Sequence, residues 1–293
     1  MTELIQALIF GVLTGSVYAL MATGLTLTFG VMKIVNLAQG AFLILAAYLC
    51  YTLWARLGID PLLGSLIVTV PLGVLGVLVY RLIIERVQRV DHGLTIVVTF
   101  AIALVAEAII ALVWGPDPVT ATPAYFNKAF HLGSVSVPAA QLYACLLAVA
   151  ITVLLQAGLR RTWLGHAITA AAENPDGARL VGVEPKKIGT WIFAIATATT
   201  AFGGAALSFL YQFTPDSQDI WIGLTLSVVI VGGLGSVTGA FAAGVLLGLA
   251  ESVTSTYVSV RWAAAVPTIL ILLVLLIRPQ GLFTLAARQD AAA

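Results

Sequence analysis

Arg160-Arg161-Thr162-Trp163-Leu164-Gly165-His166-Ala167-Ile168-Thr169-Ala170-Ala171-Ala172-Glu173-Asn174-Pro175-Asp176-Gly177-Ala178-Arg179-Leu180-Val181-Gly182-Val183-Glu184-Pro185-Lys186-Lys187 is the one stretch of this 293-residue chain that reads as water-soluble protein. Long apolar segments flank it on both sides. Lipid offers no hydrogen bonds to such a run of polar groups, so the island must lie in water or against a partner. It is read as a docking surface held between membrane-embedded segments.

Composition supports the membrane reading. The chain is 60% hydrophobic and 9% charged, with mean hydropathy +1.06. A soluble domain carries about 25% charged residues, so a soluble fold of this composition would expose a largely apolar surface. The expected fold is all-α, a polytopic transmembrane bundle forming a single domain over 1–293 in the lipid bilayer. A net charge of +1 suggests no nucleic-acid partner. Cys50 and Cys145 fall within apolar segments and read as small core residues, with no disulfide framework. Met1-Thr2-Glu3 is acidic and lacks the basic flank of a cleaved signal peptide, so the run after it reads as an uncleaved first helix.

Spans need roughly 17–25 apolar residues each. Upstream of the island they are read at Leu4–Phe29, Leu37–Ala55, Leu62–Ile84, Leu94–Trp114 and Ala139–Leu159; downstream, at Trp191–Leu210 and Trp262–Ile277. The stretch from Gly223 to Ser252 is too long for one helix and is broken by Gly232-Gly233-Leu234-Gly235-Ser236. It reads as two short helices or a hairpin meeting at the glycines, which brings the expected total to about 8–9 membrane segments. Basic residues set orientation. Arg81, Arg86 and Arg89, the island's Arg160, Arg161, Arg179, Lys186 and Lys187, and Arg278 and Arg288 fall on one side with Lys33. Arg56, Lys128 and Arg261 fall on the other. This puts residues 160–190 in a cytoplasmic loop, the N-terminus outside and the C-terminus inside. It also requires 223–252 to enter and return on one side. Residues 115–138, with Pro116, Pro118, Pro123, Phe126, Phe130 and Pro138, form the external loop, either a plain connector or a surface for an external partner.

Inside the island, Asn174-Pro175-Asp176 has the chemistry of a helix start: an amide cap, a proline suited to the first turn and an acid at the positive end of the dipole. Gly182 suits a left-handed stop. The expectation is a short helix over Pro175–Val181 after a longer one through Leu164–Glu173, together a stiff knob. An ordered loop without a partner is the alternative.

At this point the sequence resembles a known family. Arg161-Thr162-Trp163-Leu164-Gly165, followed by Glu173-Asn174-Pro175-Asp176-Gly177-Ala178-Arg179-Leu180-Val181-Gly182, looks like the cytoplasmic loop of permease subunits in ABC importers of branched-chain amino acids. Three further stretches agree: Gly24-Leu25-Thr26-Leu27-Thr28-Phe29-Gly30 running into Asn36 and Gln39-Gly40, the late Gly232–Gly239 segment, and Arg278-Pro279-Gln280-Gly281-Leu282-Phe283. The resemblance covers nearly the whole chain. It implies a bacterial inner-membrane protein, a second homologous permease, cytoplasmic ATP-binding subunits and an external solute-binding protein. It also implies that Glu173, Asn174, Pro175, Asp176, Gly177, Arg179 and Gly182 form the helix that couples to the ATPase, with Asp176 and Arg179 making polar contacts to it.

The residues themselves show no catalytic, cofactor or metal constellation. No phosphate-binding Gly-x-x-x-x-Gly-Lys motif is present, so any ATP is bound by another chain. His92, His131 and His166 are scattered in loops. Candidates for the pathway or its gate are Asn36, Gln39 and Gly40 after the Lys33 turn, Glu107 within a span, and Gly232, Gly233, Gly235 and Ser236 as a hinge. Asn36 and Gln39 read first as groups that satisfy broken backbone at a helix start, and the inner gate is their second reading. Glu107 and Glu251 are costly in lipid and read either as groups facing a cavity or partner or as hydrogen-bonded structural acids, with Glu251 read as structural or as lying near the outer interface. Gly24-Leu25-Thr26-Leu27 recurs as Gly223-Leu224-Thr225-Leu226, and Gly40-Ala41-Phe42 as Gly239-Ala240-Phe241, in one register. If this is an internal repeat, Lys33–Gly40 and Gly232–Gly239 face one another across the pathway. Gly235, Gly239, Ala243, Gly244 and Gly248 make a small-residue seam for close helix packing. Other solutes, urea or short amides among them, a secondary transporter coupled through Glu107, and a membrane scaffold remain open as alternatives.

Overall fold

The computed structural model describes residues 2–88, 90–91, 93–132, 135–278 and 280–283. Met1, Arg89, His92, Pro279 and Arg288, named above, lie outside the described residues. In chain order the elements are α1 (Thr2–Met32), α2 (Ala38–Leu57), α3 (Pro61–Val79) continued by a π-helical turn at Tyr80–Ile84, α4 (Glu85–Gln88) and α5 (Leu94–Trp114). The hairpin β1 (Ala129–Leu132) and β2 (Val135–Pro138) precedes α6 (Ala139–Arg161), α7 (Trp163–Glu173), α8 (Pro175–Leu180) and α9 (Pro185–Leu210). A 3₁₀ turn at Pro215–Ser217 leads into α10 (Gln218–Gly232), α11 (Val237–Tyr257), α12 (Val260–Ala263) and α13 (Val266–Ile277).

Among the described residues seven helices are long and apolar enough to cross a membrane. Two shorter apolar helices, α10 with 15 residues and α13 with 12, complete an all-α bundle. The glycine-broken stretch is a hairpin, as expected, but its second arm is no short helix: α11 has 21 residues. The last predicted span is split, with α12 set off from α13. The span predicted to begin at Trp191 belongs to a helix that starts at Pro185. Hydropathy finds where a helix enters lipid. It does not find where the helix begins.

In lipid, helix association rests on close packing and hydrogen bonds more than on apolar burial, since lipid tails are as apolar as leucine. The central helix α9 is built accordingly. Ala196, Ala201, Ala205 and Ala206 are fully buried, and a methyl group on Gly204 would lie 2.3 Å from Ala46 Cβ on α2. Thr197 and Thr200 return their hydroxyls to carbonyls one turn back, at 2.7 and 2.9 Å, and need no other acceptor. The same logic joins α1 to α11: a methyl on Gly15 would meet Gly244 O at 2.5 Å, and one on Gly248 would meet Gly11 O at 2.4 Å. Valine and leucine side chains of α3, α5 and α6 point outward, among them Val70, Val97, Leu112 and Leu154, as a lipid-facing belt requires.

The described part of the 115–138 loop is tied to the bundle. It carries the β hairpin, and Val119 pairs with Phe213 in an isolated bridge. Tyr125 donates its hydroxyl to Asp60 at 3.2 Å. Burial first, and the Asp60 carboxylate next, raise the Tyr125 hydroxyl above its ordinary value, so it stays a neutral donor. Beneath the loop, Tyr48 packs edge-on against Phe213 at 4.9 Å and tilted against Trp114 at 5.3 Å.

Candidate functional site

The polar island folds into the expected knob. Thr162 Oγ1 caps α7 by accepting from Gly165 N at 3.1 Å. A methyl on Gly165 would lie 2.3 Å from Leu159 O, so only glycine allows the turn from α6. Asn174 Oδ1 accepts from Gly177 N at 2.9 Å, and Pro175 opens α8. Gly182, at φ +83°, reverses the chain after α8. One apolar cluster holds the pieces together: Ala167, Ile168 and Ala171 of α7, Ala178 of α8, Val183, and Ile188 and Ile192 of α9. The knob is therefore seated on the first turns of the central helix and is no free-hanging loop.

Asp176 and Arg179 bond to each other at 3.0 Å across one turn, with side chains 91% and 64% exposed. An exposed pair of this kind contributes little to stability. The residues that protrude are Leu180 and Val181, 89% and 77% exposed. Sequence reading passed over them because two apolar residues in an apolar chain carry no signal. Their meaning comes from standing at the tip of a polar knob. Glu173, at the end of α7, lines a crevice of about 580 Å³ with Lys33, Gly30 and residues 234–237.

Lys33 after α1 and residues 234–237 after α10 line the same crevice, and Gly235 is pressed on the last turn of α1: a methyl on Gly235 would lie 2.5 Å from Gly30 Cα. Gly233 and Gly235 both sit at φ +93°, where side-chain-bearing residues are strained. Ser236 caps α11 by accepting from Gly239 N at 3.0 Å, and a methyl on Gly232 would lie 2.7 Å from Ala240 Cα. Leu282 N donates to Val231 O at 2.9 Å, so the C-terminal segment clamps the turn. The glycine turn is a packed joint.

The second group of candidates meets inside the bundle. Gln39 lies beside Gly24, roughly 12 Å along α1 from Met32 at 1.5 Å per residue. So α2 begins inside the bundle, and the segment 33–37 is irregular backbone that runs from the exposed Lys33 at the end of α1 inward to the buried Asn36, where protein covers it. Asn36 Oδ1 accepts from Ala38 N at 3.2 Å, and Thr99 Oγ1 accepts from Leu37 N at 3.2 Å. Gln39 Nε2 donates to Thr200 Oγ1 of α9 at 2.8 Å. Across α2, Gly40 packs on Gln218 O at the start of α10, and Gln218 Nε2 donates to Glu107 of α5. Both short-cut helices thus start at one polar junction, where Asn36 Nδ2, Gln39 Oε1 and Gln218 Oε1 are buried without a partner. Thr99, Thr200 and Gln218 were missed in the sequence. The threonines satisfy themselves in any helix, and Gln218 stands in a polar run that reads as loop. Among the described residues no three His, Cys, Asp or Glu side chains are grouped to hold a metal.

Comparison with known proteins gives a consistent result. The family described as branched-chain amino acid transport system, permease component, matches residues 7–275. The high-affinity branched-chain amino acid transport system permease protein LivH of Escherichia coli K12 is 28% identical over 296 residues, covering 95% of this chain and 94% of its own. The permease protein BraD of Pseudomonas aeruginosa is 27% identical, covering 95% of both chains. A probable LivH of Methanocaldococcus jannaschii is 27% identical, covering 92% and 90%. No solved structure matches the chain.

Proposed function

This chain belongs to the family of branched-chain amino acid transport permease components, and from that premise we propose that it is a membrane subunit of an ABC importer carrying leucine, isoleucine and valine into the cytoplasm. It is a multi-pass membrane protein. ATP hydrolysis comes from cytoplasmic subunits, and substrate from an external binding protein that docks on the 115–138 loop. A homologous permease completes the pathway in the bacterial cytoplasmic membrane, with the N-terminus outside and the C-terminus inside.

The observation that carries this reading is the capped α7–α8 knob seated on α9, with Leu180 and Val181 at its tip. Closure of an ATPase dimer around the knob presses on α8. The shared apolar cluster passes the displacement to α9, because a packed core transmits strain. α9 also carries Thr200, so its movement alters the Gln39 contact at the polar junction. The glycine joint between α10 and α11 lies against Gly30 at the knob's end of the bundle and moves with it. Glu107 is engaged by Gln218, which argues for a holding role there and against proton coupling.

The test is a mild-detergent pull-down of this chain from its native membranes, assayed for ATP hydrolysis beside a second sample carrying Gly177→Trp and Arg179→Glu. The expected result is an ATPase recovered with the native chain and lost with the variant. A native chain that emerges alone and still moves solute in vesicles overturns the reading.

A further inference from the structure

A groove on the outer face of α6 carries a charge pattern that the transport reading does not use. It encloses about 540 Å³ between α6 and the first turns of α11, within the size range of small-ligand sites. Val149, Val153, Gln156 and Arg160 follow one another at helical spacing, so one stripe of α6 lines it along its length. Phe241 of α11 adds an apolar wall.

The two ends of the groove differ in chemistry. Val149 and Val153 lie toward the middle of α6, while Arg160 and Arg161 close the helix beside the knob. The arginines are the charged residues of the lining, and no acid joins them there. Both are exposed, and among the described residues neither forms an ion pair. With its amide oxygen turned to the guanidinium, Gln156 accepts from Arg160 Nε at 2.8 Å and from Nη2 at 3.1 Å. That contact steadies the guanidinium beside the groove and leaves the Nη1 donors unclaimed.

Length ties the groove to one membrane leaflet. Arg160 stands roughly 17 Å along α6 from Val149 at 1.5 Å per residue, and half of a hydrocarbon core is about 15 Å. When Val149 lies near the bilayer midplane, Arg160 and Arg161 therefore lie at the level of the headgroups. Trp163, just past them and 74% exposed, is a residue type that collects at this interface. A guanidinium matches a phosphate through parallel hydrogen bonds, and basic pockets between helices on the cytoplasmic side take anionic headgroups. Inorganic phosphate would engage the arginines alone and leave the apolar length of the groove unused.

We infer that this groove holds an anionic phospholipid of the cytoplasmic leaflet, with its phosphate on Arg160 and Arg161 and an acyl chain along Val153 and Val149. Because α6 runs straight into the knob, the bound lipid fixes the knob's root at the membrane surface. The site stands without the importer reading, and only the choice of leaflet rests on the proposed orientation.

The experiment uses the full chain, purified in mild detergent, stripped of lipid and titrated with phosphatidylglycerol or phosphatidylcholine. Native mass spectrometry counts the bound lipid, and melting temperatures without lipid confirm that each variant is folded. Phosphatidylglycerol is expected to bind about tenfold more tightly than phosphatidylcholine, the scale of one charge-assisted contact, and Arg160→Gln with Arg161→Gln is expected to abolish that preference. Lys186→Gln with Lys187→Gln removes as much charge outside the groove and is expected to keep it. Ala157→Phe retains both arginines but fills the groove, and is expected to weaken phosphatidylglycerol by a similar factor. Equal binding of the two lipids, an equal loss in the lysine variant, or displacement of the lipid by inorganic phosphate overturns the inference. A second measurement names the occupant in native membranes: Val153 is replaced by the photoreactive benzoylphenylalanine, and a phospholipid adduct is expected. A crosslink to another polypeptide would show that protein covers this face, and the lipid site would be withdrawn.

Discussion

Glu107 and Gln218 show what a single residue pair decides in this bundle. A carboxyl group within a span is costly unless held, and the Gln218 amide holds it across the gap between α5 and α10. An amide at position 107 accepts the same hydrogen bond, so Glu107→Gln is expected to preserve both assembly and uptake. Gln218→Leu takes the donor away and leaves the acid facing an apolar wall. It is expected to lower stability by roughly 1–2 kcal/mol, the upper part of the range for hydrogen bonds within membranes. Thermal unfolding in detergent reads the difference, and uptake in vesicles reads the function. Abolished uptake in a well-folded Glu107→Gln transporter would mean that the acid carries protons, and that the chain works as a secondary transporter.

At the scale of elements, the helices were legible where hydrophobic length decides them and illegible where a neighbour does. The runs at Leu94–Trp114 and Ala139–Leu159 became helices with nearly those bounds, since nothing but lipid and packing acts on them. The caps at Asn174 and Gly182 were readable because their chemistry is local. The entry of α10 at Gln218 was not, because a polar run after a span reads as loop until Glu107 and Gly40 are seen beside it. The glycine seam falls between these cases. The i, i+4 spacing of Gly244 and Gly248 announces close packing, while the partner surface, Gly11 and Gly15 on α1, is known only from the fold. Gly248→Ala puts a methyl 2.4 Å from Gly11 O, so α1 and α11 must part. A loss of about 1–3 kcal/mol is expected from such overpacking. Gly158→Ala, on α6, meets nothing within 4 Å and is expected to be neutral or stabilising by up to about 1 kcal/mol through helix propensity. Melting temperatures of the two variants check the contrast. Equal losses at both sites would remove the seam from the account.

For the whole molecule, the distribution of basic residues and the fold describe one polarity. Lys33, the knob and the glycine joint share an end of the bundle, and Gly281, three residues beyond Arg278, packs on Gly233 at the same place. Tyr80 packs over Gly189 at the base of α9, which brings the Arg81 turn there as well. The 115–138 loop and α12, which carry Lys128 and Arg261, close the other end. A basic bias of this kind follows the cytoplasmic side, so the expected orientation puts the knob in the cytoplasm. Two single-cysteine chains decide it, each in the Cys50→Ala, Cys145→Ala background. Leu180→Cys sits at the exposed knob tip and Lys128→Cys on the loop at the opposite end. In intact cells an impermeant thiol reagent is expected to label the cysteine at 128 and to reach the one at 180 only after the membrane is opened. The reverse pattern would turn the molecule over, place the knob outside and leave it no ATPase to meet. The same labelling, repeated on the assembled complex in opened membranes, should protect position 180, because an apolar tip that couples to a partner is covered by it.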